Sequence, residues 1–499
     1  MDYFLRKSLV VLPVLLLFSI SVSAFSSGTV PAIEDDAFFY LKMADNTVQG
    51  RGVSFDGLTE TNGFHPLWML AITGIRLLSE DPLTFLRLSF VLSAVLMTAV
   101  ALLFLRRSIN YSLPVTLLPL ILLLRYVRDF SVMCMETSIL LPVSFLILME
   151  ADRFANGNNR VAVWGIGILV ALMIPSRLDS VLMAVPLFLI LIRRWGRDAV
   201  LPLLLPGFVS VSAIIFINLA TIGTPLTVSG MMKASGFGYN ELFSAQLFRF
   251  SDPLGIFSPW GLYLLFLVLA VPVLLLKEKP VSAVVSSAFI LIFTVTQLFM
   301  SQWRLWYWYA YPAVIFLAFG FPVLLQRIYS SLRISSALER AMTGVFIPAL
   351  AVMSIYWGIS YGTLKEDDFR YRNMQIALEL NGMLPDSAVI AMGDRAGSFA
   401  YFFHGHVIQT EGLAGDVSLV NAIKAGELGD HLVSMGADYL LSWTGPHGVI
   451  DYSFWDIWIP DPAQSAVFNN LLPVSSTDEI ARWAGENETA FLWRLNAGN

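Results

Sequence analysis

The segment Glu34-Asp35-Asp36-Ala37-Phe38-Phe39-Tyr40 begins with three acidic residues and directly follows the first hydrophobic run of the chain. Adjacent carboxylates at the surface of a membrane repel each other, and holding them there costs free energy unless they bind a ligand or take part in chemistry. Their position therefore suggests an enzyme that acts at one face of a bilayer. A helix N-cap formed by Asp35 and Asp36 for a helix over 37–49 would explain the same residues equally well.

The composition is that of a protein with many membrane spans. Of the 499 residues, 56% are hydrophobic and 14% are charged, whereas soluble domains carry about 25% charged residues. The net charge is −6 and there is no long basic run, which argues against nucleic acid as a partner. Neither a zinc-binding pattern nor a nucleotide-binding glycine loop occurs, so the energy for any reaction would come from the substrate or from a gradient.

Hydrophobic runs predict about eleven transmembrane helices. The predicted spans are 8–25, 84–105, 112–124, 137–150, 161–175, 178–192, 199–220, 260–276, 282–300, 308–325 and 342–361. Arg6 and Lys7 favour a cytoplasmic N-terminus, and basic residues then fall on the cytoplasmic side at every turn, as the positive-inside rule requires. The first run could also be a cleaved signal peptide, but the many later spans favour an uncleaved anchor. If the apolar segment 65–78 crossed the membrane, all later basic loops would lie on the outer side. We therefore interpret it as a helix at the outer interface.

From about residue 362 the sequence changes its character. Short apolar runs alternate with helical stretches, and glycines separate them, which indicates a small α/β domain. We therefore divide the chain into a transmembrane module over 1–361, whose first outer loop is 26–83, and a soluble extracytoplasmic domain over 362–499. The expected fold is an α-helical, multi-pass protein of the cell membrane that carries this α/β domain on its outer side.

The predicted topology gathers polar residues from several loops on the outer face. Basic residues there run against the positive-inside trend, and arginine and lysine suit an anionic ligand such as a phosphate. In addition to Asp35 and Asp36, the candidate site residues are Asn62, His65, Glu136, Arg177, Asp179, Lys233, Arg304 and Trp308.

Several of these candidates also have a purely structural interpretation, which the sequence leaves open. Arg177 and Asp179 could form a local ion pair, and Glu136 could pair with Arg125 or Arg128. Trp308 belongs to an aromatic run that is typical of a membrane interface. Lys233 and Arg304 could face water or lipid headgroups, and His65 could be a buried, hydrogen-bonded residue of the interface.

Several motifs together resemble the polytopic bacterial and archaeal glycosyltransferases of the GT-C class. The first outer loop carries the most specific part, DDAFFYLK at 35–42 followed by TNGFHPLW at 61–68. Weaker elements follow in order at 135–137, 176–179 and 229–233. The resemblance extends over most of the chain, including the C-terminal tail.

The resemblance implies a polyprenyl-phosphate sugar as donor, transfer on the outer side of the membrane, and an aspartate of the first outer loop as catalytic base. By position this base is Asp35. In an inverting transfer, Asp35 would take the proton from the hydroxyl of a glycan, lipid or protein acceptor, while Arg177, Lys233 or Arg304 stabilises the leaving phosphate. No cofactor is required. Asp36 could orient the acceptor, raise the pKa of Asp35 or share a divalent cation with it.

A transporter or flippase of an anionic lipid-linked sugar is the alternative function. Such a protein would carry charged groups deep within its spans, often beside broken helices. The predicted spans are rich in leucine, valine and isoleucine, and their charges cluster at the outer ends. A scaffold without catalytic activity would leave the outer acidic and basic residues without a role. Both observations favour the transferase.

Overall fold

The computed structural model describes residues 8–26, 29–155, 160–233, 238–248, 258–301, 305–332, 336–393, 395–444, 479–485 and 488–495. The helices of the membrane module are α1 (Val11–Ala24), α2 (Asp35–Val48), α3 (Pro66–Arg76), α4 (Pro82–Arg107), α5 (Leu113–Met133), α6 (Thr137–Ala155), α7 (Arg160–Ser176), α8 (Val181–Trp195), α9 (Val200–Thr221), α10 (Val228–Lys233), α11 (Glu241–Phe248), α12 (Pro259–Leu275), α13 (Val281–Met300), α14 (Tyr311–Phe319), α15 (Phe321–Ser331) and α16 (Ser336–Tyr361). Short 3-10 helices at Leu178–Ser180, Gly196–Ala199 and Tyr307–Ala310 connect some of them.

The prediction of an α-helical, multi-pass membrane protein is confirmed. Within the described ranges, four helical segments are long and apolar enough to cross a membrane, namely Pro82–Asn110, Leu178–Thr221, Val281–Met300 and Tyr307–Ser331. Shorter apolar helices lie at Val11–Ala24, Ala162–Ser176, Pro259–Leu275 and Gly344–Ser360. The number of eleven spans and the orientation of the termini stay predictions.

Helix α3 corresponds to the apolar segment 65–78. Its 11 residues extend about 16 Å at 1.5 Å per residue, which is about half the thickness of the hydrocarbon core of a bilayer. Pro66 occupies its first position, where a missing N–H costs no hydrogen bond. This length is too short for a span, in agreement with the interpretation as an interfacial helix.

The tail forms a mixed sheet, as the sequence predicted for an α/β domain. Its elements are α17 (Phe369–Met383), β1 (Val389–Met392), α18 (Ala396–Phe402), β2 (His406–Gln409), α19 (Val417–Ala425), α20 (Leu428–Ser434), β3 (Tyr439–Thr444), β4 (Glu479–Ala484) and β5 (Thr489–Arg494). The strand order is β2-β1-β3-β5-β4. Strand β1 is parallel to β2 and β3, whereas β5 is antiparallel to β3 and β4.

The apolar core of the membrane module continues into the tail without interruption. The ring of Phe38, in α2, packs against Tyr401 and Phe402 of α18 with centroid distances of 5.6 and 6.1 Å. On the other face of the sheet, Val228 and Met232 of α10 belong to a second buried cluster formed with α19 and α20. The two parts therefore share their cores, and the boundary at residue 361 stays a prediction.

A buried lysine joins α2 to the tail and makes stability depend on pH. The ammonium group of Lys42 donates a hydrogen bond to the backbone oxygen of Phe403 at 3.2 Å. Burial lowers the pKa of Lys42 to about 8, although Asp45 opposes this shift. The unfolded chain keeps this proton to about pH 10.4, so the unfolded state binds more protons between these two values, and raising the pH favours folding.

We therefore expect the free energy of unfolding to rise from pH 8 to pH 10 by roughly 2 kcal/mol through Lys42. Replacing Lys42 by methionine should remove this increase, because methionine does not titrate. Thermal unfolding of both proteins in detergent between pH 7.5 and pH 10 measures the effect. Parallel stability curves for the two proteins would contradict the assignment, since other titrating groups act equally in both.

Candidate active site

A small cavity of about 70 Å³ lies where α2, α10 and five connecting segments meet. It is lined by Asp36, Phe39, Tyr40, Met43, Gly63, His65, Met135, Glu136, Arg177, Ser229, Lys233, Trp308, Tyr309 and Leu413. Six of the residues singled out in the sequence thus share one cavity: Asp36, His65, Glu136, Arg177, Lys233 and Trp308. This volume is smaller than the roughly 300–1,000 Å³ that is usual for a small-molecule site.

Glu136 lies at the centre of the polar network. It follows Cys134, whose φ of 51° ends α5 with a left-handed turn. The Glu136 carboxylate is buried and accepts hydrogen bonds from Arg177 at 2.5 Å and from the Tyr40 hydroxyl at 3.3 Å. His65 Nε2 lies 3.8 Å from the same carboxylate, and burial lowers the pKa of this imidazole. The ring is therefore neutral near pH 7.

Arg177 is held by two carboxylates at once. Its Nε donates to Asp179 at 2.9 Å while its Nη1 donates to Glu136, and the guanidinium carbon lies 4.3 Å from the ring centroid of Tyr309. The hydroxyl of Tyr311 donates to Asp179 at 3.0 Å. The local ion pair that the sequence suggested is therefore present. Because both carboxylates are engaged, Arg177 positions other groups and carries little uncompensated charge.

The suggested pairing of Glu136 with Arg125 or Arg128 was wrong. Helix α5 continues to Met133, beyond the predicted end of that span at residue 124, so both arginines lie within the helix. They pair there with Asp129, which also accepts a hydrogen bond from the Tyr307 hydroxyl at 2.6 Å. The charges satisfy one another, which allows the helix to continue through them.

Asp36 and Lys233 bring opposite charges to the cavity. Asp36 lies in the first turn of α2, and Lys233 is the last residue of α10. Burial acts to lower the pKa of Lys233, but its interactions with Tyr309 and Asp36, including a hydrogen bond with the Tyr309 side chain, outweigh burial, so the pKa is raised. Lys233 therefore stays protonated and brings a positive charge to the cavity that Asp36 also lines.

Asp35 faces away from the cavity, toward the tail. Its buried carboxylate accepts hydrogen bonds at 2.8 Å from the backbone N–H groups of Gly397 and Ser398, and a third at 2.5 Å from the Ser398 hydroxyl. These residues form the first turn of α18, so Asp35 closes the amino end of that helix. Burial raises the pKa of Asp35, while the three donors oppose this shift. The suggested role of Asp35 as base stays a prediction, but its surroundings favour Asp36.

The remaining candidates act at the edge of the cavity. Asn62 accepts a hydrogen bond from the N–H of Val228 at 2.9 Å and donates to the oxygen of Leu226 at 3.0 Å, so it holds the start of the helix that ends in Lys233. The Trp308 ring stacks on Trp306 with a centroid distance of 5.8 Å. Arg304 lies outside the described residues.

Eight lining residues were not among the candidates from the sequence: Phe39, Tyr40, Met43, Gly63, Met135, Ser229, Tyr309 and Leu413. Tyr40 follows Asp36 by four positions, which places both side chains on one face of a helix, so this spacing could have identified it. Tyr309 adjoins Trp308 in the same aromatic run. Leu413 comes from the tail, and nothing in the local sequence indicates its position.

The carboxylates that the structure describes do not gather into a metal-binding cluster. Within the described residues there is no group of three or more His, Cys, Asp or Glu side chains that could hold a metal ion. Asp35 is enclosed by the first turn of α18, whereas Asp36 faces Lys233. The two side chains therefore have separate surroundings, and a divalent cation shared between them stays a prediction.

Comparison with known proteins places this arrangement in a known architecture. No protein-family model and no curated protein matches the sequence. Among solved structures, ArnT from Cupriavidus metallidurans bound to undecaprenyl phosphate overlaps with 97% of this chain and 97% of its own, with a TM-score of 0.58 and 12% identity. The chain has a GT-C-like fold. The same enzyme in the apo state gives a TM-score of 0.55 at 13% identity over the same shares of both chains.

An archaeal oligosaccharyltransferase is similar to a lesser degree. The apo oligosaccharyltransferase of Archaeoglobus fulgidus overlaps with 89% of this chain and 70% of its own at 12% identity, with a TM-score of 0.49. The GT-C-like fold agrees with the resemblance found in the sequence, including the apolar helices followed by a small C-terminal sheet.

Proposed function

We propose that this protein is an inverting glycosyltransferase that moves a sugar from a polyprenyl-phosphate donor to a hydroxyl of a glycan, lipid or protein acceptor at the outer face of the cell membrane. The observation that carries the proposal is the presence of Asp36 and the protonated Lys233 in one cavity of a GT-C-like fold. A base and a cation in close proximity are what displacement of a phosphate by an acceptor hydroxyl requires. Undecaprenyl phosphate, the lipid bound by ArnT, is a polyprenyl phosphate of the proposed class.

In this reaction, Asp36 takes the proton from the acceptor hydroxyl as its oxygen attacks the anomeric carbon of the sugar. The bond between that carbon and the phosphate oxygen breaks, and its electron pair leaves with the lipid phosphate. Lys233 compensates the negative charge that grows on this oxygen. The atoms and charges balance without a metal ion or cofactor.

The other cavity residues keep these two groups in place. Arg177 is neutralised by Glu136 and Asp179, so it contributes less charge to an incoming phosphate than Lys233 does. Glu136 in turn holds the Tyr40 hydroxyl, which also accepts a hydrogen bond from the backbone N–H of His65 at 3.3 Å. This network fixes α2, and therefore Asp36, against the neighbouring helix ends.

Replacing Lys233 by methionine should lower donor turnover by roughly 10²- to 10³-fold, as expected for the loss of one group that stabilises developing charge. The measurement is release and transfer of sugar from radiolabelled polyprenyl-phosphate sugars by purified protein, with and without a chelator. Lys277, which is exposed and follows α12, provides the control, and Lys277→Met should keep full activity. Full activity of Lys233→Met would exclude its role.

The same assay separates the transferase from a transporter. Turnover of at least one donor by the wild-type protein supports the proposal, and turnover that survives the chelator supports a reaction without a metal. Tight binding of donors without turnover, across several sugars and acceptors, would overturn the proposal in favour of transport.

A further inference from the structure

A second, larger cavity lies at the end of the helical bundle opposite to the candidate active site. Its volume is about 570 Å³, and its lining includes Trp164, Trp195, Arg197 and Leu201. Trp164 lies in the second turn of α7, whereas Arg177 follows the last turn of the same helix. At 1.5 Å per residue this separation is about 20 Å, so the two cavities are distinct. The positive-inside pattern predicts that this end faces the cytoplasm.

The backbone of two helices and one tight turn creates this cavity. Helices α7 and α9 touch at Gly167, where a Cβ atom would overlap the backbone oxygen of Pro202. One turn before Gly167 the helices leave space between them. The chain between α8 and α9 reverses at Gly196, with φ 71° and ψ −158°, a conformation that is essentially restricted to glycine. This reversal places Trp195 and Arg197, on either side of it, at the same cavity.

The lining combines two tryptophan rings with one basic and one acidic residue, Arg197 and Asp198, and two further arginines, Arg193 and Arg194, lie just before it in the chain. Trp164 is 39% exposed and Leu201 is 61% exposed, so both are available to lipid chains. The indole N–H of Trp195 is buried and has no hydrogen-bond partner within the described part of the chain. The turn carries three exposed arginines, Arg193, Arg194 and Arg197, against one exposed acid, Asp198. A ligand with an anionic head and apolar chains matches this surface.

We propose that this cavity binds the phosphate headgroup of an anionic phospholipid of the same leaflet. Its volume lies within the range of about 300–1,000 Å³ that is usual for small-molecule sites. Tryptophan is favoured at the depth of headgroups, and basic pockets between helices attract anionic lipids. A zwitterionic lipid would bring its own cation close to the arginines and would bind less well. This site is independent of the transferase activity.

The test is lipid retention by the full-length protein, measured by native mass spectrometry after delipidation. Phosphatidylglycerol and phosphatidylcholine with identical chains are titrated separately against the wild-type protein, Arg197→Gln and Arg197→Lys. We expect Arg197→Gln to weaken phosphatidylglycerol binding about fivefold, the effect of one basic residue near an anionic lipid. Arg197→Lys should retain most of the affinity, and phosphatidylcholine should bind all three proteins equally weakly.

A matched control uses Arg327, which is exposed near the end of α15 on the same predicted side. Arg327→Gln should bind phosphatidylglycerol like the wild-type protein. Equal binding of the two lipids, or equal binding by wild type and Arg197→Gln, would overturn the proposal. Displacement of the lipid by inorganic phosphate at comparable concentration would also overturn it, because the site would then recognise free phosphate. Size-exclusion profiles and melting temperatures establish that each variant is folded.

Discussion

Replacing Asp36 by asparagine should lower kcat for sugar transfer by roughly 10²- to 10⁴-fold, the usual contribution of a general base. Asparagine has nearly the same shape as aspartate, but it cannot take up the proton of the acceptor hydroxyl. Asp36 is the member of the acidic pair that lines the cavity and interacts with Lys233. Binding of the donor should change little, because the loss concerns the proton and not the phosphate.

The measurement is single-turnover transfer from a radiolabelled donor, with binding followed separately. Asp386, whose side chain is 85% exposed, provides the matched control, and Asp386→Asn should react like the wild-type protein. Asp36→Glu should keep part of the rate, because glutamate also carries a carboxylate, although its side chain is one methylene group longer. A fully active Asp36→Asn protein beside a folded, inactive Asp35→Asn protein would assign the base to Asp35.

Replacing Asp35 by asparagine should instead destabilise the protein by about 3 kcal/mol. The carboxylate accepts three hydrogen bonds from Gly397 and Ser398 in a buried position, and an amide can accept only at its oxygen. At least one buried donor would then lose its partner. Thermal unfolding in detergent and limited proteolysis of the tail measure the loss of this junction.

Two further variants test how much other residues of this junction contribute to stability. Ser398→Ala removes a single hydroxyl and should cost about 1 kcal/mol. Gly397→Ala should cost more, because its Cβ atom would overlap the backbone oxygen of Asp35. The interpretation is contradicted when Asp35→Asn unfolds like the wild-type protein and yet loses all activity.

The acidic pair shows how far the sequence alone could lead. From the sequence we could locate the pair at the start of a helix. We could also associate it with residues of four other segments, because the membrane topology brings loop residues to one face. We could not separate the two carboxylates. Adjacent side chains on a helix point about 100° apart, so Asp35 and Asp36 face different parts of the protein. Only the groups that each carboxylate contacts reveal its role. For Asp35 one such group lies 363 positions later.

Polar pairing was predicted less well than the location of the site. The sequence offered two basic partners for Glu136, and both were wrong, because Arg125 and Arg128 are satisfied by Asp129 within their own helix. The actual partner, Arg177, follows α7, the second helix after Glu136. Hydrophobic runs delimit spans, but charges that neutralise each other can extend a helix beyond its apolar part, and this was not visible from composition.

The distance along the chain between Asp35 and its partners has a consequence for biosynthesis. A ribosome that adds 5–20 residues per second needs about 20–70 s to produce the 363 residues between Asp35 and Ser398. During this interval the first loop has already left the translocation machinery, while the donors that bury its carboxylate do not yet exist. A nascent chain therefore completes the junction around Asp35 only late in its synthesis, and a chain that ends before Gly397 would carry the acidic pair without the donors that bury Asp35.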